Sequence, residues 1–175
     1  MRTEILLDHE KSPNGLAYVV RALLRVHGDP PADRKRVPLN VGIVLDRSGS
    51  MSGAPLEQAK EAAALLVRRL APEDVGSIVA YDDDVQTVAE PAAGDAQHDL
   101  VSRIQAIRTG GTTNLSGGWL RGRELVAGSR RDGATHRILL LTDGLANVGI
   151  TEPDALVGLC ARARAEGIVT TTIGF

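Results

Sequence analysis

The sequence of 175 residues is poor in aromatic and sulfur-containing side chains. Aromatic residues make up 2% of it, so we expect a core of Ala, Val, Leu and Ile and no stacking surface for single-stranded nucleic acid. The only cysteine, Cys160, excludes an intramolecular disulfide and a multi-cysteine zinc site. Because Cys160 lies in an Ala-rich helical pattern, it is predicted to be a buried structural thiol.

An excess of charge of one sign is also missing. The formal net charge is −2 at pH 7, so neither a nucleic-acid partner nor an acidic membrane surface is indicated. No apolar run approaches the roughly 18 residues of a membrane-spanning helix, and residues 1–10 lack the apolar stretch of a signal peptide. We therefore expect a soluble protein without a membrane span and predict a cytoplasmic location, with the oligomeric state left open.

The beginning of the chain differs in pattern from the rest. A short apolar run at 5–7 precedes a Ser-Pro-Asn-Gly turn signal at 12–15, and β-branched and apolar residues are dense over 16–26. This order predicts a β-hairpin, and a polar, proline-containing linker follows it. The chain is therefore expected to divide into a hairpin with its linker at 1–36 and a larger domain at 37–175.

After the linker, short apolar runs alternate with helical patterns. Strands are predicted at 39–45, 75–81, 85–88, 138–141 and 168–173, and helices at 55–70, 99–107, 115–126 and 153–166. Such alternation predicts an α/β fold with a doubly wound, mainly parallel sheet and helices on both faces. The three-residue connection 82–84 is too short for a parallel crossover, so the strand after it should be an antiparallel edge strand.

Polar residues follow two strands that should be neighbours where the winding of the sheet reverses. The first strand ends in Asp-Arg-Ser-Gly-Ser at 46–50, and the fourth ends in Thr-Asp-Gly at 142–144. At the strand spacing of about 4.8 Å, the carboxylates of Asp46 and Asp143 would repel each other by about 3 kcal/mol. A proton, an arginine, a serine network or a cation could offset this repulsion.

The donor types near these two carboxylates indicate a hard cation. Ser48 and Ser50 follow Asp46 at alternating positions, and a Gly-Gly-Thr-Thr-Asn loop at 110–114 adds further hydroxyl groups. No histidine or cysteine is placed among them. Oxygen donors of this kind suit Mg²⁺ or Mn²⁺, with Ca²⁺ as a further candidate.

The three segments together resemble the von Willebrand factor type A domain and its metal-ion-dependent adhesion site. The resemblance runs from about residue 38 to the end, and Met51 with residues 53–56 is similar to the bacterial and inter-alpha-trypsin-inhibitor branch. It implies a Rossmann-like fold in which two serines and a threonine hold the metal and two aspartates act mostly through water. Carried over to this sequence, the metal-binding residues are Asp46, Ser48, Ser50, Thr113 and Asp143. Thr112 is the alternative for the threonine.

The resemblance also implies a function without catalytic residues. The module would bind a partner protein whose Asp or Glu side chain completes the coordination of the cation, and it would not be an enzyme. The alternative is a scaffold subunit of a larger bacterial complex, for example beside an AAA+ ATPase, that either needs no metal or holds one only for structure. A metal-assisted phosphohydrolase is disfavoured because no general base or lysine lies near the motif. Relatives usually continue with another helix, so the domain is expected to lack its last C-terminal helix.

Two further features are given structural interpretations. Asp82, Asp83 and Asp84 lack the spacing of a calcium-binding loop, and we predict a charged hairpin tip that protects a sheet edge. Trp119 lies within a helical pattern and is predicted to pack in the core.

Overall fold

The computed structural model of this chain describes residues 2–7, 22–27, 36–144 and 146–175. It separates into two units, Met1–Arg36 and Val37–Phe175. In the first unit, strands β1 (Arg2–Leu7) and β2 (Ala22–His27) pair in antiparallel register, with Ile5 opposite Leu24. This pairing confirms the predicted antiparallel strands, whereas the predicted turn at 12–15 lies outside the described residues.

The second unit is built on one five-stranded sheet with the order β5-β4-β3-β6-β7. Its strands are β3 (Leu39–Asp46), β4 (Val75–Tyr81), β5 (Val85–Ala93), β6 (Thr135–Thr142) and β7 (Ile168–Gly174). All neighbours run parallel except β5, which is antiparallel to β4 at the edge. The predicted mainly parallel sheet with one antiparallel edge strand is therefore confirmed.

Strand β5 is longer than the sequence indicated, because it continues past the predicted end at residue 88 to Ala93. Pro91 lies within this extension, and proline is tolerated on an edge strand, where its missing N–H need not join a ladder. The register of β5 against β4 also shifts twice between Gly76 and Val79.

Helices cover both faces of this sheet. They are α1 (Ala54–Val67), α2 (Gln97–Gln105), α3 (Leu115–Gly128) and α4 (Pro153–Ala165). One buried apolar cluster joins the sheet to α1 and α2, and a second joins it to α3 and α4. Successive residues of β3 alternate between them, since Ile43 belongs to the first cluster and Val44 to the second. None of the helices in the described ranges is both long and apolar enough to cross a membrane.

The packing around α4 corrects one prediction and confirms another. Cys160 is half-buried instead of buried, because an apolar cavity of about 240 Å³ stays open beneath α4. Trp119 is buried, as predicted, and its indole N–H donates a 3.0 Å hydrogen bond to the Thr170 hydroxyl. Helix α3 is therefore fixed to the β7 side of the sheet by a polar contact as well as by apolar packing.

Two glycines allow α3 to lie very close to the central strand β3. A Cβ added at Gly42 would lie 2.8 Å from the Val126 side chain, and one added at Gly122 would lie 2.4 Å from Cγ2 of Val44. Since real Cβ atoms do not approach other heavy atoms this closely, any larger residue at either position would push the helix and the strand apart.

Replacing Gly122 with Ala is expected to lower the free energy of unfolding by about 1–2 kcal/mol. The new methyl group would overpack against the stiff, buried Val44, and this outweighs the gain in helix propensity of up to about 1 kcal/mol. Gly128→Ala in the same helix is the matched control, because its added Cβ meets no atom within 4 Å. Urea unfolding measures both variants, and equal stabilities would contradict the close-packing explanation.

Candidate metal site

The site is centred on the carboxylate of Asp46, the last residue of β3, which has 0% exposure. Its Oδ1 accepts a 2.9 Å hydrogen bond from the Ser48 backbone N–H. Its Oδ2 accepts hydrogen bonds from the Tyr81 hydroxyl at 3.2 Å and from the Thr142 hydroxyl at 2.7 Å. The carboxylate is therefore held by the loop after β3 and by the ends of the two neighbouring strands, β4 and β6.

Burial is the main reason why the pKa of the Tyr81 phenol is raised far above its ordinary value. The negative charge of Asp46 adds to the increase, and that of Asp143 contributes further. The phenol consequently stays neutral at any physiological pH and remains a hydrogen-bond donor to Asp46.

The two serines predicted as ligands lie on one turn after β3. Ser48 is buried and Ser50 is exposed, and their Oγ atoms are 3.2 Å apart. Adjacent oxygens around Mg²⁺, bound at about 2.1 Å with octahedral geometry, are separated by about 3.0 Å. The spacing of the two hydroxyls is close to that separation, so both could serve as neighbouring ligands of one cation.

The loop at 110–113 is joined to the serine turn through its backbone. Gly49 N–H donates to the Gly111 carbonyl at 2.8 Å, and Gly110 N–H donates to the Arg47 carbonyl at 2.7 Å. Of the two threonine candidates, Thr113 is 4% exposed, whereas Thr112 is exposed. The loop thus brings a threonine to the same end of the sheet as the two serines.

Asn147 and Val148 hold the backbone of Thr113 in place. Its N–H donates to the Asn147 side-chain oxygen at 2.7 Å, and its carbonyl accepts from the Asn147 and Val148 N–H groups at 3.1 and 3.2 Å. Asn147 was not singled out in the sequence, because nothing in the local pattern shows which distant backbone its amide would meet.

Asp143 directly follows β6 and is half-buried. The preceding residue, Thr142, donates to Asp46 and accepts a 3.1 Å hydrogen bond from the Gly144 N–H. Asp143 therefore follows a residue that is fixed to the centre of the site. The structure brings the five predicted residues to one end of the sheet, on three adjoining loops.

Residues 82–84 connect β4 to β5, and Asp83 and Asp84 are exposed, as expected for a charged hairpin tip, but a neighbouring ion pair makes Asp82 an exception. Asp82 is only 5% exposed and accepts hydrogen bonds from Arg47 at 3.0 Å, from the Gly111 N–H at 3.1 Å and from the Asp84 N–H at 3.0 Å. Burial by itself would raise the pKa of Asp82, but these donors outweigh it and lower the pKa below the ordinary value. Asp82 directly follows β4, and this place at the end of a strand was the signal in the sequence that could have marked it as a site residue.

The donor set fits a hard divalent cation. Within the described residues, no group of three or more His, Cys, Asp or Glu side chains could hold a metal ion. Any cation here would instead need the hydroxyls of Ser48, Ser50 and Thr113 beside the two carboxylates. Both oxygens of Asp46 already accept hydrogen bonds, which suits a carboxylate that acts through bound water.

Comparisons with known proteins agree with this geometry. Residues 40–175 match the family model of the von Willebrand factor type A domain, so the chain belongs to that family. Its domains are commonly metal-dependent protein-interaction modules. This result confirms the resemblance to the von Willebrand factor type A domain, while the metal-ion-dependent adhesion site stays a prediction.

Two relatives show how far the sequence similarity extends. Inter-alpha-trypsin inhibitor heavy chain H3 of Homo sapiens is 32% identical over 160 residues, which cover 87% of this chain and 18% of the heavy chain. The uncharacterized protein sll0103 of Synechocystis sp. is 34% identical over 141 residues, which cover 81% of this chain and 33% of that protein. This chain therefore spans less than a third of the heavy chain that it matches.

Solved structures share the fold at lower identity. Proximal thread matrix protein 1 of the mussel byssus, with a zinc-occupied metal-ion-dependent adhesion site, has a TM-score of 0.67 and 21% identity, over 79% of this chain and 38% of that one. An aerotolerance-related membrane protein of Bacteroides fragilis has a TM-score of 0.61 and 22% identity, over 78% of this chain and 67% of that one. A membrane protein is thus among the similar structures, and the cytoplasmic location stays a prediction.

Replacing Asp82 with Asn should destabilise the fold by about 1–3 kcal/mol, because a charged acceptor of three hydrogen bonds is lost. The pKa of Asp82 is lowered by folding, so its contribution is present above its unfolded-state pKa and is lost as the pH falls through the lowered value. Chemical unfolding at neutral and at acidic pH measures this difference. Asp84→Asn, at an exposed position, is the control, and an equally large loss there would argue against a specific role of Asp82.

Proposed function

We propose that residues 37–175 form a metal-dependent protein-binding module. A divalent cation, Mg²⁺ or Mn²⁺, would be held by the hydroxyls of Ser48, Ser50 and Thr113, with Asp46 and Asp143 acting through bound water. The observation that carries the proposal is the 3.2 Å spacing of the two serine hydroxyls next to a buried carboxylate. When bound, such a cation supplies a Lewis-acidic position that accepts a carboxylate oxygen.

The chain's own residues would prepare the site before a partner arrives. Ser50 is exposed, so a ligand can reach that side of the site, whereas Asp46 and Ser48 are fully enclosed. Hard cations prefer oxygen donors, and proteins supply charged oxygen only as Asp, Glu or a chain terminus. The partner would therefore present the side chain of an Asp or Glu.

A binding role explains the geometry better than catalysis does. The Asp46 carboxylate is buried and accepts hydrogen bonds from the Ser48 N–H and from two hydroxyl groups, so it is poorly placed to attack a substrate. Its remaining lone pair can still accept a hydrogen bond from bound water. The one lysine among the described residues, Lys60, pairs with Glu57 on α1, and so is not free to hold a phosphate. A metal-assisted phosphohydrolase therefore has no support in these contacts.

A scaffold subunit that does not use metal is the alternative to a metal-dependent binder. The two differ in the outcome of chelation, because a scaffold would keep its partner in EDTA. The presence of two hydroxyls at ligand spacing beside a buried carboxylate favours the metal-dependent role.

Mg²⁺ or Mn²⁺ is expected to raise the thermal unfolding midpoint by about 5–10 °C over that in EDTA. Saturation at 100 times the dissociation constant adds about 2.7 kcal/mol to the stability of a protein of this size. Ser50→Ala should abolish the rise, whereas Ser52→Ala, which changes an exposed serine of the same loop, should preserve it. Differential scanning fluorimetry measures all three proteins. An unchanged midpoint in the wild type up to millimolar metal would contradict the proposal.

The choice between the two threonines gives a separate prediction. Thr113→Ala should lower the apparent affinity for the metal by at least about tenfold, because a direct ligand is lost. Thr112→Ala changes the exposed neighbour and should leave the affinity as it is. A metal titration monitored by the unfolding midpoint compares the two variants, and the opposite ranking would assign the ligand to Thr112.

A further inference from the structure

A cavity of about 340 Å³ lies beside the candidate metal site, between the edge strand β5 and the end of α2. Arg47 lines it, and in the sequence this residue stands between Asp46 and Ser48. Arg108 also lines it, just before the loop that carries Thr113. The backbone hydrogen bond from Gly110 N–H to the Arg47 carbonyl joins the two walls. The cavity therefore adjoins the loops that would hold the metal.

Three arginines surround the cavity, and two of them are already paired. Arg47 forms a 3.0 Å ion pair with Asp82, and Arg103 forms a 2.8 Å ion pair with Asp99. Arg108 has no carboxylate partner among the described residues. One positive charge on the cavity wall is thus left without compensation from those residues.

Hydrogen-bond donors also remain available on this wall. Within the described ranges, Arg108 donates through Nη1 alone, to the Gln105 and Ile107 carbonyls at 2.9 and 3.2 Å. Nε of Arg47 is buried and meets no acceptor in that part of the chain. Because a guanidinium carries five N–H donors and no acceptor, the free donors of the exposed Arg108 can bind an incoming oxygen in place of water, whereas the buried Nε of Arg47 is not accessible to one.

The cavity also has an apolar part. Ile107 is buried and Val88 is half-buried, and both line the same space as the arginines. An occupant that matches the wall therefore combines a short apolar stem with a negatively charged end. The glutamate side chain has this composition, since two methylene groups precede its carboxylate.

We infer that this cavity receives a second acidic side chain from the same partner segment whose first acidic side chain reaches the metal site. This inference rests on the proposed function and makes it more specific: the partner would carry two acidic residues close together. The nearest donors to the incoming carboxylate would be those of Arg108. Arg47 would link the two subsites, because it lines the cavity and lies within the serine motif.

The test uses acetylated and amidated peptides of the form Glu-(Gly)n-Glu, with one to four glycines, so that only side chains carry charge. At about 3.3–3.6 Å per extended residue, this series covers separations of roughly 7–18 Å. Each peptide has a matched form in which the second Glu is Gln. Binding to the ¹⁵N-labelled 175-residue chain is followed by NMR titration in Mg²⁺ and again in EDTA.

In Mg²⁺, at least one two-acid peptide is expected to bind about three to ten times more tightly than its one-acid form. The two-acid peptide should also shift the amide signals of Ala106 and Ile107. Arg108→Gln should reduce its affinity to that of the one-acid peptide and leave the one-acid peptide unaffected. Arg69→Gln is the control, because it removes the same charge in the connection between α1 and β4.

Two other outcomes separate the inference from the proposed function. If both peptides bind only with Mg²⁺ but have equal affinities, or if Arg108→Gln weakens both equally, the second acidic subsite is refuted and the metal-dependent binder stands. If no peptide binds the wild-type chain in Mg²⁺, or if binding is the same in EDTA, the proposed function fails and the inference fails with it.

Discussion

The buried carboxylate of Asp46 is the constraint on which the rest of this site depends. An enclosed negative charge destabilises a fold by several kcal/mol unless hydrogen bonds or opposite charges compensate for it. Here the compensation comes from the Ser48 N–H and from the hydroxyls of Tyr81 and Thr142, which belong to three adjacent chain segments. The same interactions that make the charge tolerable also fix the carboxyl ends of β4, β3 and β6 relative to one another.

The loops above this centre are positioned by close packing and by a second carboxylate. A Cβ at Gly110 would lie 1.5 Å from Oδ2 of Asp82, and one at Gly111 would lie 2.2 Å from Oδ1 of Asp83. Glycine is therefore required at position 110, because the Asp82 carboxylate is held by three hydrogen bonds, whereas the exposed Asp83 side chain can move away from a Cβ at position 111. The Gly111 carbonyl also accepts a hydrogen bond from the Gly49 N–H, so the serine turn and the threonine loop are joined directly.

Much of this arrangement could be predicted from the sequence, because apolar strands and helical patterns are local properties. The end of β3 at Asp46 and the pairing of β3 with β6 followed from patterning and from winding rules. The buried role of Asp82 could not be read from three consecutive aspartates, since it depends on Arg47, 35 residues away. The half-buried state of Cys160 was missed for a similar reason, because it reflects how tightly a whole helix covers the sheet.

Charge balance explains why a binder of this design benefits from arginines beside its metal site. Asp46 and Asp143 together carry two negative charges, which a divalent cation neutralises. A formally neutral centre attracts an incoming carboxylate only at short range, whereas a net charge acts over roughly 8 Å at physiological ionic strength. In the described part of the chain, Arg108 is the wall residue that retains such a charge beside the site. The cation would then coordinate the first acidic side chain at contact and Arg108 would attract the second, so that each interaction can be adjusted without disturbing the other.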